Sequence, residues 1–164
     1  AQMSKFPNQR YADSHEAIAD LLRVQVTAID TLKKKLGTPM GRQSKGVPQP
    51  FQADAWRSQS SLTGLEASLA AAKTVWEGVD NKGLRSLLPS EQKPLADKID
   101  AAYAASLKLF ASTQRSLTEM LADDAGRQQL NDLYDSLNTV HRLHEGELAK
   151  ALGIQLGFNA NDGD

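Results

Sequence analysis

The sequence predicts an all-α protein, an antiparallel four-helix bundle, on three observations. Apolar residues recur at steps of three and four along most of the chain. No segment alternates with the period that a half-buried strand requires, and the helical faces are rich in alanine. At 164 residues, the chain is long enough for one domain with its own core.

The first element follows an extended lead-in, residues 1–12, which has no periodicity and contains Pro7. A helix then begins near Asp13, where Asp13 and Glu16 have the spacing of a capping box. Its apolar stripe is Ile18, Leu22, Ile29 and Leu36, with Leu21, Val26 and Leu32 beside it. Gly37 is expected to stop it, leaving Lys33, Lys34 and Lys35 in the last turn to complement the negative end of the helix dipole. Residues 38–59 carry Pro39, Pro48, Pro50, Gly41 and Gly46, which read as a long loop. Loops of this length in compact domains are commonly functional or mobile.

Ser60 or Ser61 is expected to cap a second helix with a buried face of Leu62, Leu65, Leu69, Ala72 and Trp76, ending near Gly78. Leu84, Leu87 and Leu88 then form a short turn that tucks under a corner. Ser90 caps a third helix, with Pro94 tolerated in its first turn. Its face is Leu95, Ile99, Ala102, Leu109, Leu117 and Met120, with Tyr103, Phe110 and Leu121 on the shoulder, and it fades between Asp123 and Gly126. The fourth helix has the clearest periodicity: Leu130, Leu133, Leu137, Val140, His144, Leu148 and Ala151 share one face. Gly153 ends it. Residues 153–164 form a structured tail expected to fold back and bury Ile154, Leu156 and Phe158.

Nineteen basic residues against twenty acidic ones give a formal charge of -1, so no strong field favours nucleic acid or an anionic membrane. No apolar run is long enough to span a bilayer, and no signal-peptide pattern opens the chain. The chain starts at Ala1, which reads as a processed mature form or a piece of something longer. Without cysteine there is no disulfide or thiolate chemistry, but the compartment stays open.

Few residues nominate themselves for chemistry. Trp56, Arg57, Ser58 and Ser60, just ahead of a helix N-terminus, could bind an anion, although capping serines beside a packed indole are commoner. His141 and His144 lie on one side of the fourth helix with Glu147 a turn further on, a partial metal-ligand set for which other helices would have to supply carboxylates. Hydrogen-bonded packing is the commoner role for such histidines. His15 reads as a surface residue. Asn159, Asn161, Asp162 and Asp164 offer oxygen ligands but do not make a calcium loop. No nucleophile elbow, phosphate-binding glycine loop or catalytic triad is present, and spacing nominates no catalytic residue.

Three stretches resemble the C-terminal half of the imelysin-like family, exported bacterial proteins classified with metallopeptidases and tied to iron acquisition. They are Lys35-Leu36-Gly37-Thr38-Pro39-Met40-Gly41, Ala55-Trp56-Arg57-Ser58-Gln59-Ser60-Ser61-Leu62, and Ala151-Leu152-Gly153-Ile154-Gln155-Leu156-Gly157-Phe158-Asn159-Ala160-Asn161-Asp162-Gly163-Asp164. The resemblance implies that residues 1–164 are the second of two helical bundles. The precursor would carry a signal peptide, and the family's G-x-H-x-x-E motif would lie in the N-terminal half. Here His144-Glu145-Gly146-Glu147 satisfies H-x-x-E, but Arg142 stands at the glycine position, so the motif is not carried over.

The resemblance further implies a periplasmic or outer-membrane-associated component of iron or haem-iron uptake. Its ligand site would lie in the cleft between the bundles, lined here by Trp56, Arg57, Ser58, Ser60, Phe158, Asn159 and Asp162. The implied cofactor is iron or another divalent metal held mainly by the N-terminal half. The implied partners are that half and other iron-uptake proteins. The alternative is a metallopeptidase whose metal-binding residues lie in the N-terminal half; whether the protein is an enzyme is open. A structural or adhesion bundle is a third, plainer reading.

Overall fold

Helix α1 spans Ser14–Met40, α2 spans Ser61–Glu77 and α3 spans Lys93–Ser112. A short α4, Leu117–Leu121, precedes α5, Asp124–Arg142, which continues through a π turn at Leu143–Leu148 into α6, Ala149–Ala151. The computed structural model describes residues 14–41, 61–113 and 115–156. Among the described residues every element is helical, no strand occurs, and no helix is long and apolar enough to cross a membrane. Helix α1 packs against α2 and α5, and α3 packs against the same two. Their inward faces make one apolar core.

The α2 face is the predicted one: Leu62, Leu65, Leu69, Ala72 and Trp76 are all buried. So is the α5 line, where Leu130, Leu133, Leu137, Val140, His144 and Leu148 are each fully buried and Ala151 is partly buried. On α1, Leu22, Ile29 and Leu36 are fully buried.

Helix α1 does not stop at Gly37. It runs through Gly37 and Pro39 to Met40, and Gly41, at φ 87°, ends it. Proline in a last turn forfeits one backbone hydrogen bond. Against that loss, Leu36, Gly37 and Pro39 are buried and Met40 packs on the core. The hydroxyl of Thr38 also donates to the Lys34 carbonyl at 2.9 Å. The three lysines therefore lie inside the helix, with none in its last turn. Lys34 pairs with Asp30 at 2.9 Å, while Lys33 turns inward. The predicted loop thus loses its first three residues to α1; residues 42–60, the lead-in, Asp13 and residues 157–164 lie outside the described residues.

At the second corner Gly78 adopts φ 76° and stands back to back with Gly83, so that a Cβ on Gly78 would sit 1.9 Å from the Gly83 nitrogen. Gly78→Ala is expected to destabilise the fold by about 2 kcal/mol or more, from the left-handed backbone and the clash together. A denaturant midpoint equal to that of the native chain would show that the corner yields freely. Of the three corner leucines, Leu84 is fully buried and Leu88 packs on the core, whereas Leu87 is 41% exposed and does not tuck in.

Ser90 does not cap α3. It opens a 3-10 turn, Ser90–Gln92, and Gln92 occupies the N-cap position without a side-chain cap bond. The third helix also ends earlier than its apolar pattern suggests. Thr113 is extended, and the hydroxyls of Ser112 and Thr113 donate to the carbonyls of Leu109 and Phe110. Such side-chain to backbone bonds compete with helix continuation. Ser116 then caps α4 by accepting from the Glu119 N–H at 3.2 Å. Asp123 caps α5 by accepting from the Gly126 N–H at 2.6 Å. Within α3 the buried line is Leu95, Ala96, Ile99, Tyr103, Ser106 and Phe110. Tyr103 and Phe110 hold the centre, and Ala102 and Leu109 form the shoulder.

Candidate functional site

A directed chain of polar groups crosses the core. The Gln25 amide of α1 donates to the Ala72 carbonyl of α2 at 2.6 Å and to the Tyr103 hydroxyl of α3 at 2.8 Å. The Tyr103 hydroxyl lies 3.0 Å from His144 Nε2, and His144 Nδ1 lies 2.9 Å from the Val140 carbonyl. A carbonyl can only accept, so Nδ1 carries the proton and Nε2 accepts from Tyr103. The imidazole is thereby fixed as one neutral tautomer. Burial is the main cause that pushes the His144 pKa down, from 6.5 to about 4, against the opposing pull of the Val140 carbonyl. Burial likewise raises the Tyr103 pKa, so the phenol stays a donor.

Trp76 and Tyr103 meet the His144 ring edge to face, at centroid distances of 5.8 and 5.5 Å. Trp76 Nε1 donates to Asp100 at 2.7 Å, and Arg85 holds the other oxygen of that carboxylate at 2.9 Å. These contacts tie α2, the corner and α3 together. With the polar chain, they satisfy the buried donors of Gln25, Trp76, Tyr103 and His144.

The partial metal set does not converge. His144 points into the core, as above. His141 faces α1, with Nδ1 3.2 Å from Lys33 Nζ and Nε2 3.2 Å from Glu145. Glu147 is exposed and pairs with Lys98 of α3 at 3.1 Å. Both nitrogens of each histidine are engaged by protein groups, and among the described residues no cluster of three or more His, Asp or Glu side chains could hold a metal ion. His141, His144 and Glu147 thus point toward α1, the core and Lys98 and do not meet at one point.

Among the described residues, an open space lined in part by residues of the third family-like stretch, Ile154 and Gln155, lies where the tail meets α1. Gly153, at φ 69°, donates to the Lys150 carbonyl, and the Ile154 N–H reaches the Ala149 carbonyl at 2.8 Å. This pair of bonds is a Schellman closure, and it turns Ile154 into the core. His15 Nε2 donates to the Gly153 carbonyl at 2.8 Å, which pins the start of α1 to that closure. Beside the pin is a cleft of about 330 Å³ lined by His15, Glu16, Ala19, Asp20, Arg23, Ile154 and Gln155. Asp20 and Arg23 pair at 2.7 Å on its wall. His15 is exposed as expected, but it also has this structural partner. Ile154 is buried and Leu156 packs on the core, as the folded-back tail requires.

Trp56, Arg57, Ser58, Ser60, Phe158, Asn159 and Asp162 lie outside the described residues. Residues that sequence reasoning missed are Gln25 and the central role of Tyr103. The signal for Gln25 was present: it stands between Leu22 and Ile29 at steps of three and four, in the middle of an apolar stripe.

Residues 1–144 match the Imelysin (Peptidase_M75) family. The chain belongs to the imelysin family. The matched region of this imelysin-family chain includes the stretches around Lys35–Gly41 and Ala55–Leu62, while the tail from Ala151 lies beyond it. No curated protein and no solved structure matches the chain.

Proposed function

We propose that this chain is the C-terminal helical bundle of an exported imelysin-like protein of bacterial iron or haem-iron acquisition. It acts as a binding component, in the periplasm or associated with the outer membrane, with its ligand site at the junction with an N-terminal bundle. The observation that carries the reading is the family match over residues 1–144, and the cleft at the tail supports a ligand site at that end. Within a chain of this family, the first residues of the tail are anchored by Gly153 and Ile154 against His15, and they leave a polar recess at one end of the helices.

Cross-helix pairs support an antiparallel four-helix bundle as the scaffold. His15 meets Gly153 while Lys33 meets Asn138, so α1 and α5 run in opposite senses. Lys98 with Glu147 and Ser106 with Ser136 imply the same for α3 and α5. On this reading Trp56, Arg57, Ser58, Ser60, Phe158, Asn159 and Asp162 belong to the ligand site, with iron or another divalent metal held mainly by the N-terminal bundle. That bundle, as a covalent or separate partner, carries the metal ligands on this reading.

Arg57→Ala and Ser58→Ala are expected to weaken ligand binding or association with the N-terminal bundle about tenfold each, the usual loss for one charged or hydroxyl contact. Titration of the native chain and the two variants with the N-terminal bundle, with and without ferric iron or haem, checks this. Unchanged affinities in both variants would remove the segment from the site. A second reading, a metallopeptidase, is favoured by the family's classification as a peptidase. Chelator-sensitive cleavage of a peptide by the two bundles together would establish it; binding without cleavage supports the first.

A further inference from the structure

Between α1 and α5 lies a half-buried group of charges that the proposed ligand site does not use. Lys33 reaches across from α1 and places Nζ 3.0 Å from the Asn138 side-chain oxygen and 3.2 Å from His141 Nδ1. An ammonium only donates, so Nδ1 must accept, and the imidazole proton sits on Nε2. There it faces Glu145 at 3.2 Å and, further off, Asp30 at 3.9 Å. One proton thus fixes the direction of each bond across the seam.

We propose that Lys33 and His141 form an acid-released latch between α1 and α5, opened when a proton on His141 Nδ1 removes the acceptor that Lys33 holds. The protonated ring and the ammonium are then two cations at hydrogen-bond distance, and one must swing away. Lys33 then keeps Asn138 across the seam and Asp30 of its own helix at 3.8 Å, so the final turns of α1, from Lys33 to Met40, lose the Lys33–His141 tie to α5.

The groups facing His141 decide the direction of the response. From α1 these are Asp30, Lys33 and Lys34; from the π turn they are Glu145 and the buried His144, while Arg142 acts on Lys33. Asp30 and Glu145 favour the imidazolium, whereas burial first, and then Lys33, oppose it, and the His141 pKa falls below its ordinary 6.5. Burial is also the main cause that lowers the Lys33 pKa, with Asp30 and Glu145 opposing it. A histidine with a depressed folded pKa binds its proton more weakly folded than unfolded. The latch is therefore closed at neutral pH and opens as the solution turns acidic.

The test is made on the full chain by following the His141 ring by NMR and amide hydrogen exchange, corrected for the intrinsic rate, between about pH 8 and about pH 5. In the native chain, amides of the last turns of α1 lose protection on acidification by more than amides of α2 do. In His141→Gln that excess disappears, and in Lys33→Met the His141 midpoint moves up because the opposing charge is gone. If Lys33→Met does not fold, Lys33→Gln, which keeps a donor without the charge, gives the same readout. An unmoved His141 midpoint in the folded Lys33 variant overturns the latch. So does an acid loss in α1 that persists undiminished in His141→Gln.

Discussion

Replacing Trp76 with alanine is expected to cost about 4 kcal/mol of folding stability, the middle of the range for a buried aromatic side chain. The indole is wholly inside the core, its ring packs on the edge of His144, and its N–H occupies one oxygen of Asp100. Alanine removes the packing and opens a void beside a histidine that must stay dry. Trp76→Phe separates the terms. It keeps most of the apolar volume and loses the bond to Asp100, which Arg85 still holds, so a loss of about 1 kcal/mol is expected. Urea unfolding followed by far-UV circular dichroism measures both. A loss below about 1 kcal/mol for the alanine variant would mean that the core relaxes around the cavity.

The second large effect is an acid-dependent loss of stability centred on His144. Burial holds its folded pKa at about 4, against an ordinary value of 6.5. Above pH 6.5 both folded and unfolded chains carry the neutral ring, and the full stability is present. As the pH falls below that point the unfolded chain takes up a proton that the folded chain refuses, and stability declines until the folded residue also titrates near pH 4. The span corresponds to about 3 kcal/mol at roughly 1.4 kcal/mol per unit. His141 acts in the same direction, since its pKa is also lowered, mainly by burial. Unfolding free energies measured across this window should slope downward toward acid. In His144→Gln, which is less stable at neutral pH, the slope should be shallower. An identical slope in that variant would assign the acid sensitivity to other groups.

How far these features can be read from the chain depends on how sharply the side chains differ around each helix. Helix α2 was legible because Leu62, Leu65, Leu69 and Trp76 stand out from small neighbours, and α5 because a polar or charged residue stands beside every buried leucine. Helix α3 was not, because alanines at 101, 102, 104 and 105 leave its faces nearly equivalent by pattern. Packing then chose the face bearing Tyr103 and Phe110, which offer the larger buried area. The break after Ser112 could have been found: Ser116 and Glu119 have the spacing of a cap ahead of an apolar turn. The passage of α1 through Gly37 and Pro39 could not, because propensity argues against it and its support is tertiary, from burial of Leu36, Gly37 and Pro39 and packing of Met40.

The candidate site divides the same way. His144 was on the apolar face from the outset, but its partners were invisible, because Gln25, Tyr103 and His144 are separated by 78 and 41 residues along the chain. Spacing along one helix grouped His141, His144 and Glu147; the packing of three other helices dispersed them toward α1, the core and Lys98.

The π turn at Leu143–Leu148 carries a consequence for the way the chain leaves the helices. Each α-helical residue advances the backbone by about 100° around the axis. A π turn absorbs residues with less winding, so everything after it is out of phase with the leucine line that precedes it. His144 stands at the start of that turn and is clamped by Tyr103, while Gly153 and Ile154 stand beyond it. The azimuth at which the tail departs, and with it the wall of the cleft beside His15, is therefore set by a winding defect some two turns upstream. The helix works as a phase plate, with the buried imidazole as its fixed mark.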